Sequence, residues 1–233
     1  NAHLIVDEIR PTTIKQKFRS KGKSLLRVSH LHQDAINSTL QDKIIKIIDS
    51  VIQDVDLLVF SDFNYGCLPQ LLVDKLTKLA NVHNVMLAAD SQSSSQIGDI
   101  SRFRGANLIT PTEREARISS RNHEDGLIVL AEQLKKQSSA HNIFLKIGEE
   151  GLLIHSGNIK SNEFLTDRIY ALNSAPRDVA GAGDSLLISS ALTLACGGNI
   201  WEAAIIGSLA AAIQVGRVGN TQLQANELLQ ELH

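Results

Sequence analysis

Residues 177–187 read RDVAGAGDSLL, in which the small residues Ala180, Gly181, Ala182 and Gly183 run into Asp184 ahead of an apolar helical pattern. A glycine-rich approach to a helix exposes the first backbone N–H groups, which have no partner inside the helix. The positive end of the helix dipole adds to them and makes an anion site. Without side chains in the way, a phosphate can come close. A carboxylate at such a place repels the phosphate unless it has a task. One task is to accept the proton of a hydroxyl that attacks a phosphoryl group. The plainer reading is that Asp184 only complements the helix N-terminus, as acids do there. On these residues alone the two readings stand side by side.

Other nucleotide motifs fail on particular residues. A dinucleotide fingerprint starting at Gly181 needs a third glycine where Leu186 stands. A P-loop ending in Gly22-Lys23-Ser24 needs its first glycine where Lys17 stands. His30 and His32 would share one strand face, as some metal ligands do, but no third ligand lies nearby in sequence.

Upstream, two further elements occur in order: Pro111-Thr112-Glu113-Arg114-Glu115, and Lys146-Ile147-Gly148-Glu149-Glu150-Gly151. Together with Asp178-Val179-Ala180-Gly181-Ala182-Gly183-Asp184 they resemble the N-x-x-E, T-x-G-x-x-G and D-T-x-G-A-G-D motifs of the ribokinase/PfkB family of sugar kinases. The stretch 212–219 resembles the segment after the last large helix of that family. Within the family, the heptose-phosphate kinase branch, the kinase half of ADP-heptose synthases, is the nearest resemblance. Residues 10–15 with 25–28 look like its lid strands, Ser61-Asp62-Phe63-Asn64-Tyr65-Gly66 like its S-D-Y-x-x-G turn, and 99–106 like the stretch before its Thr-Pro strand.

The resemblance implies an ATP- and Mg2+-dependent kinase acting on a sugar, most like a heptose phosphate. Asp184 would be the base, and the backbone N–H groups of Gly181, Ala182 and Gly183 the anion hole. Glu115, with Thr112 in the place of the usual Asn, would hold magnesium through water. Gly148 and Gly151 would let the loop approach the nucleotide, and Lys146, in the place of the usual Thr, would reach a phosphate or crowd it. Asp178 and nearby carbonyls would build a site for a monovalent cation such as K+. Ser91-Gln92 stands where the heptose branch carries Pro-Lys.

These residues need a scaffold to bring them together. Short apolar runs at 57–61, 85–90, 107–110 and 143–147 read as strands buried on both faces. Helical patterns at 38–51, 68–80, 112–119 and 125–137 alternate with them, and three more helices are expected near 182–196, 199–215 and 223–231. The fold class is therefore α/β: a doubly wound, mostly parallel sheet with helices on both faces, ribokinase-like by resemblance. After a run at 152–155 the chain reads as a polar stretch to Asp178. Ligands of such sheets bind at the carboxyl ends of strands, where Asp62 and Asp90 would take substrate-side roles or cap the following turns.

By the resemblance, residues 1–30 would form a separate β-lid segment and 31–233 the nucleotide-binding core. Runs at 14–19 and 24–29 read as a hairpin turning at Lys21-Gly22-Lys23. Arg10, Lys15, Lys17, Arg19, Lys21, Lys23 and Arg27 lie there without an acid among them after Arg10. Arg10, Lys15 or Arg27 could meet a substrate phosphate, or simply keep a hairpin edge solvated. An exposed lid edge would favour a homodimer.

The net charge of −2 over 233 residues advertises no polyanion partner, so no nucleic acid is expected. No basic-then-apolar leader opens the sequence, and the most apolar region, 185–216, is broken by Gly197, Gly198, Asn199 and Glu202, so no membrane span is expected. Two cysteines, Cys67 and Cys196, in reduced form suit a cytoplasmic protein. Family members carry a sugar-binding segment of roughly a hundred residues ahead of the lid. These residues by themselves are thus expected to bind nucleotide with little sugar phosphorylation. A kinase for another sugar or nucleoside, and a non-catalytic module for binding or assembly, are the competing readings.

Overall fold

The computed structural model describes residues 2–20, 23–93, 97–158, 163–219 and 221–232. Lys21 and Gly22 of the turn expected at Lys21-Gly22-Lys23, and residues 94–96 of the polar loop 92–96, lie outside the described residues. A two-stranded antiparallel sheet comes first, β1 (Ile14–Ser20) and β2 (Lys23–His30). Then α1 (Ser38–Val51), whose first turn is capped by the Asn37 side chain, leads to β3 (Leu57–Asp62). The order continues α2 (Gln70–Val82), β4 (Met86–Ser91), β5 (Leu108–Ile109), α3 (Glu113–Ser120), α4 (Leu127–Ser138) and β6 (Asn142–Lys146). It ends β7 (Leu152–Asn158), β8 (Glu163–Ile169), α5 (Ala182–Ala195), α6 (Ile200–Val215) and α7 (Ala225–Glu231).

The main sheet has the order β3-β4-β5-β6-β7-β8. β3 to β6 are parallel, and β7 and β8 run antiparallel at the far edge. Successive residues of the parallel strands point to opposite faces, and both faces are covered. Leu87, Ala89, Ile143 and Leu145 pack with α2, α3 and α4, while Ala88, Leu108 and Phe144 pack with α5 and α6. Two buried faces explain why these strands read as continuous apolar runs rather than alternating ones.

Two expectations change in detail. The strand expected at 107–110 is two residues long as a regular ladder, although the Asn107 N–H still donates to Leu87 O, and the Leu87 N–H is met by the Asn107 side-chain oxygen instead of a backbone carbonyl. β8 falls in the region read as a polar stretch. It is an edge strand with Thr166, Asp167 and Arg168 in its second half, and Leu165 is 61% exposed, so it shows no buried-strand signature. No helix among the described residues is long and apolar enough to cross a membrane.

Candidate active site

The carboxyl ends of β3, β4 and β6 and the N-termini of α3 and α5 meet on one edge of the sheet. The end of β6 is fixed by the Lys146 N–H donating to Pro111 O at 2.8 Å and by a parallel bridge between Lys146 and Thr112. From there Lys146 Nζ reaches Asp90 Oδ1 at 3.1 Å, and the Thr110 hydroxyl donates to the same oxygen at 3.2 Å. Asp90 is buried at the end of β4. Burial raises its pKa above the ordinary carboxylate value of 3.8, and the Glu115 charge pushes the same way, against the pull of Lys146.

α5 opens without a side-chain cap. Gly181 sits at its N-cap with φ +79°, a left-handed conformation that glycine adopts without strain. No side chain caps the first N–H groups of α5; that of Ala182 makes only a long bond of 3.4 Å to Val179 O. Asp184 lies half-buried in this first turn. A β-carbon built on Gly183 would lie 3.1 Å from Lys146 Nζ, so the lysine head stands against the bare opening of the helix.

The segment before α5 is strapped to the end of α6. Arg177 N–H donates to Val215 O at 2.7 Å, Gln214 Nε2 to Ala180 O at 3.2 Å, and Asn173 Nδ2 to Ala212 O at 2.9 Å. Asp178 Oδ1 accepts from the Ala180 N–H at 3.2 Å and lies 3.7 Å from Lys17 Nζ on the lid. Gln214 Oε1 is buried without a hydrogen-bond partner. Gln214 thus ties the Ala180 carbonyl, two residues after Asp178, to the end of α6.

A cavity of about 360 Å³ leads to this helix opening. Tyr170, Leu172, Pro176, Val179 and Ala212 line its apolar part, and Lys146, Ala182 and Gly183 line its polar end. The Ser208 hydroxyl in its wall is buried without a partner. An apolar slot with one unsatisfied hydroxyl, ending at an uncapped helix N-terminus, fits a nucleoside polyphosphate. Gly148, with φ +64° and nothing within 4 Å of a built β-carbon, leaves its side of the cavity open. Gly151 differs: with φ +99°, its β-carbon would meet Ile169 O at 2.1 Å. The second glycine lets the chain pass the end of β8.

Several residues singled out in the sequence are held by the protein itself. Glu115 forms a capping box with Thr112: Oε2 accepts the Thr112 N–H at 2.8 Å and Thr112 Oγ1 accepts the Glu115 N–H at 3.2 Å. Its Oε1 accepts the Ser93 N–H at 2.9 Å. Among the described residues no cluster of three His, Cys, Asp or Glu side chains could hold a metal. Asp62 is buried and paired with Arg102, Oδ2 to Nη2 at 2.6 Å, and its Oδ1 accepts the Asn64 N–H at 2.9 Å. Arg10 ties two loops together, with Nη1 donating to Asp34 O at 2.7 Å and Nη2 reaching Cys67 Sγ at 3.3 Å.

Lys15 lies over the Phe63 and Tyr65 rings, at 5.4 and 5.0 Å from their centroids. Lys15 and Lys17 are two apart on β1 and so share a face. One reaches the turn after β3 and the other the loop before α5, which lays the lid across the strand ends. Lys17 and Arg102 were missed as site residues from the sequence. The period-two spacing with Lys15 was the available signal for Lys17, and nothing local marked Arg102 as the partner of Asp62.

A family model described as pfkB family carbohydrate kinase matches residues 1–226. The chain belongs to this family. Among curated relatives, the bifunctional protein HldE of Helicobacter hepaticus is 27% identical over 238 residues, covering 100% of this chain and 47% of that protein. HldE of Nitratiruptor sp. is 29% identical over 228 residues, covering 96% and 46%. The chain thus spans about half the length of these relatives. Among solved structures, phosphofructokinase-2 from Escherichia coli in complex with potassium aligns at a TM-score of 0.68 and 14% identity, covering 88% of this chain and 65% of that one. Ribokinase from Thermotoga maritima aligns at 0.60 and 22%, covering 78% and 58%. The fold is ribokinase-like.

Proposed function

We propose that this chain is the nucleotide-binding and phosphoryl-transfer portion of a sugar kinase, with a heptose phosphate as the acceptor best supported. The observation that carries the reading is the uncapped α5 N-terminus, closing an apolar cavity and holding Asp184 in its first turn. The HldE relatives support the heptose assignment.

In this reading MgATP supplies the phosphoryl group when bound. The cavity between the 170–179 loop and α6 takes the nucleoside, and the N–H groups of Gly181, Ala182 and Gly183 hold the phosphoryl oxygens. Asp184 orients the acceptor hydroxyl and takes its proton, a role worth roughly 10²–10⁴ in rate. Asp178 and Gln214 with nearby carbonyls hold a monovalent cation such as K+ beside the anion hole, and Glu115 orders magnesium-bound water. Asp90 faces the acceptor side, Asp62 supports it through Arg102, and the lid, with Lys15 and Arg10 near its base, covers the acceptor.

We also assign the lid to a homodimer contact. Phe18 and Leu26 are cross-strand partners, and they and Ile14 are each at least half exposed. Sedimentation showing a monomer at high concentration would count against this contact. A cytoplasmic setting agrees with the free Cys67 and Cys196.

The test is a panel of sugars, sugar phosphates and nucleosides, offered with MgATP to the longest native chain that contains this sequence. The reading expects turnover greatest with heptose phosphates. A simple sugar or nucleoside as the preferred acceptor would move the assignment within the family. Glu115, with both oxygens engaged by backbone N–H groups, favours one second reading, a non-catalytic binding or assembly module. That reading expects nucleotide binding to be absent or indifferent to magnesium.

A further inference from the structure

Lys146 is placed in a way that a purely structural lysine would not need. It stands where the resemblance leads one to expect threonine, and its side chain is 17% exposed at the wall of the cavity. Its ammonium lies against Gly183 at the uncapped start of α5. Thr112, which opens α3, is bridged to its backbone. A cation beside helix N-termini faces like partial charge, which is unfavourable unless an anion sits between them. Asp90, buried behind it, neutralises the lysine from the sheet side only. A buried ion pair of this kind gives little net stability compared with apolar side chains of the same size.

We propose that Lys146 is the ligand of the terminal phosphoryl group, steadied by Asp90, and that it makes this site discriminate a nucleoside triphosphate from the diphosphate. The proposal rests on the phosphotransferase reading and adds a specific selectivity to it. The anion hole at Gly181 to Gly183 receives the end of the polyphosphate, and Lys146 Nζ is the cationic side-chain nitrogen lining that end of the cavity. A diphosphate, one phosphoryl group shorter, leaves the lysine to Asp90. The triphosphate places an anion between the lysine and the helix start, where both positive partners gain. Asp90 fixes the lysine's direction without filling the hole, since the two meet on the β4 side.

Calorimetric titration with MgATP and with MgADP tests this on the wild-type chain, Lys146→Met, Lys146→Arg and the double variant Lys146→Met/Asp90→Asn. The double variant removes both charges together, so no unpaired buried carboxylate confuses the result. A charge-assisted contact predicts a loss of roughly 10- to 100-fold in ATP affinity for Lys146→Met and for the double variant. ADP affinity should change less than about 3-fold, and Lys146→Arg should recover most of the ATP affinity. Equal losses for ATP and ADP, or a change in thermal midpoint with no change in either affinity, would make the pair structural and overturn the inference alone. A wild-type chain that binds neither nucleotide would overturn the phosphotransferase reading and this inference with it.

Discussion

Replacing Gly151 with alanine should damage the fold, whereas replacing Gly148 should leave it nearly intact and damage the site. The two glycines come from the same loop but stand in different surroundings. At Gly151 the backbone has φ +99° and ψ −128°, and the new methyl would lie 2.1 Å from Ile169 O and 2.7 Å from Ala171 N. Strain and overpacking together come to about 4 kcal/mol. For a chain of this length that is roughly a 10 °C fall in thermal midpoint. At Gly148 φ is +64° with open space around the site, so the cost is about 1 kcal/mol and roughly 3 °C. The same methyl enters the cavity lining, so MgATP affinity should fall. Thermal unfolding followed by circular dichroism, with MgATP titration of each folded variant, measures both effects. An unchanged midpoint for Gly151→Ala, or equal falls for both variants, would refute the assignment of the second glycine to the passage past β8.

Two further outcomes are expected from buried charge. His155 is buried against Phe164 and its pKa is lowered from 6.5 to about 4, by burial first and then by the Lys135 charge. The unfolded chain therefore binds the extra proton first, and this group's share of stability is complete above pH 6.5 and lost as pH falls toward 4. Urea unfolding across that window should show the wild type losing on the order of 3 kcal/mol more than His155→Gln, and parallel curves would exclude the effect. Arg102→Met should cost about 3 kcal/mol by leaving the buried Asp62 carboxylate unpaired, and adding Asp62→Asn should recover much of it. No recovery in the double variant would mean that the arginine acts through its contact with Leu68 O instead.

The α/β order and the helix positions were legible because both faces of the parallel strands are buried, which leaves dense apolar runs between amphipathic helices. β8 was not legible, because an edge strand with Thr166, Asp167 and Arg168 in its second half has one side in solvent and no periodic apolar signal. In the site, Asp184 and the bare turn at Gly181 to Gly183 stood out from the residues themselves, and the lysine at 146 only through the resemblance. The partners did not. That Asp62 is taken by Arg102, Arg10 by Asp34 and Glu115 by its own helix cap depends on contacts between residues distant in sequence or on a local cap that the spacing alone does not reveal. The resemblance implied one role for Gly148 and Gly151, and only the closeness of β8 to Gly151 separates them.

The central claim is that the α5 opening receives a phosphoryl group and that Asp184 serves transfer rather than nucleotide binding. Calorimetric titration of the wild-type chain and Asp184→Asn with ATP, with and without magnesium, tests it most directly. The account predicts binding that depends on magnesium and keeps its affinity within about 3-fold in the variant, since a proton acceptor acts on the transition state rather than on the bound nucleotide. No binding by the wild type, or binding indifferent to magnesium, would contradict it and favour the non-catalytic reading.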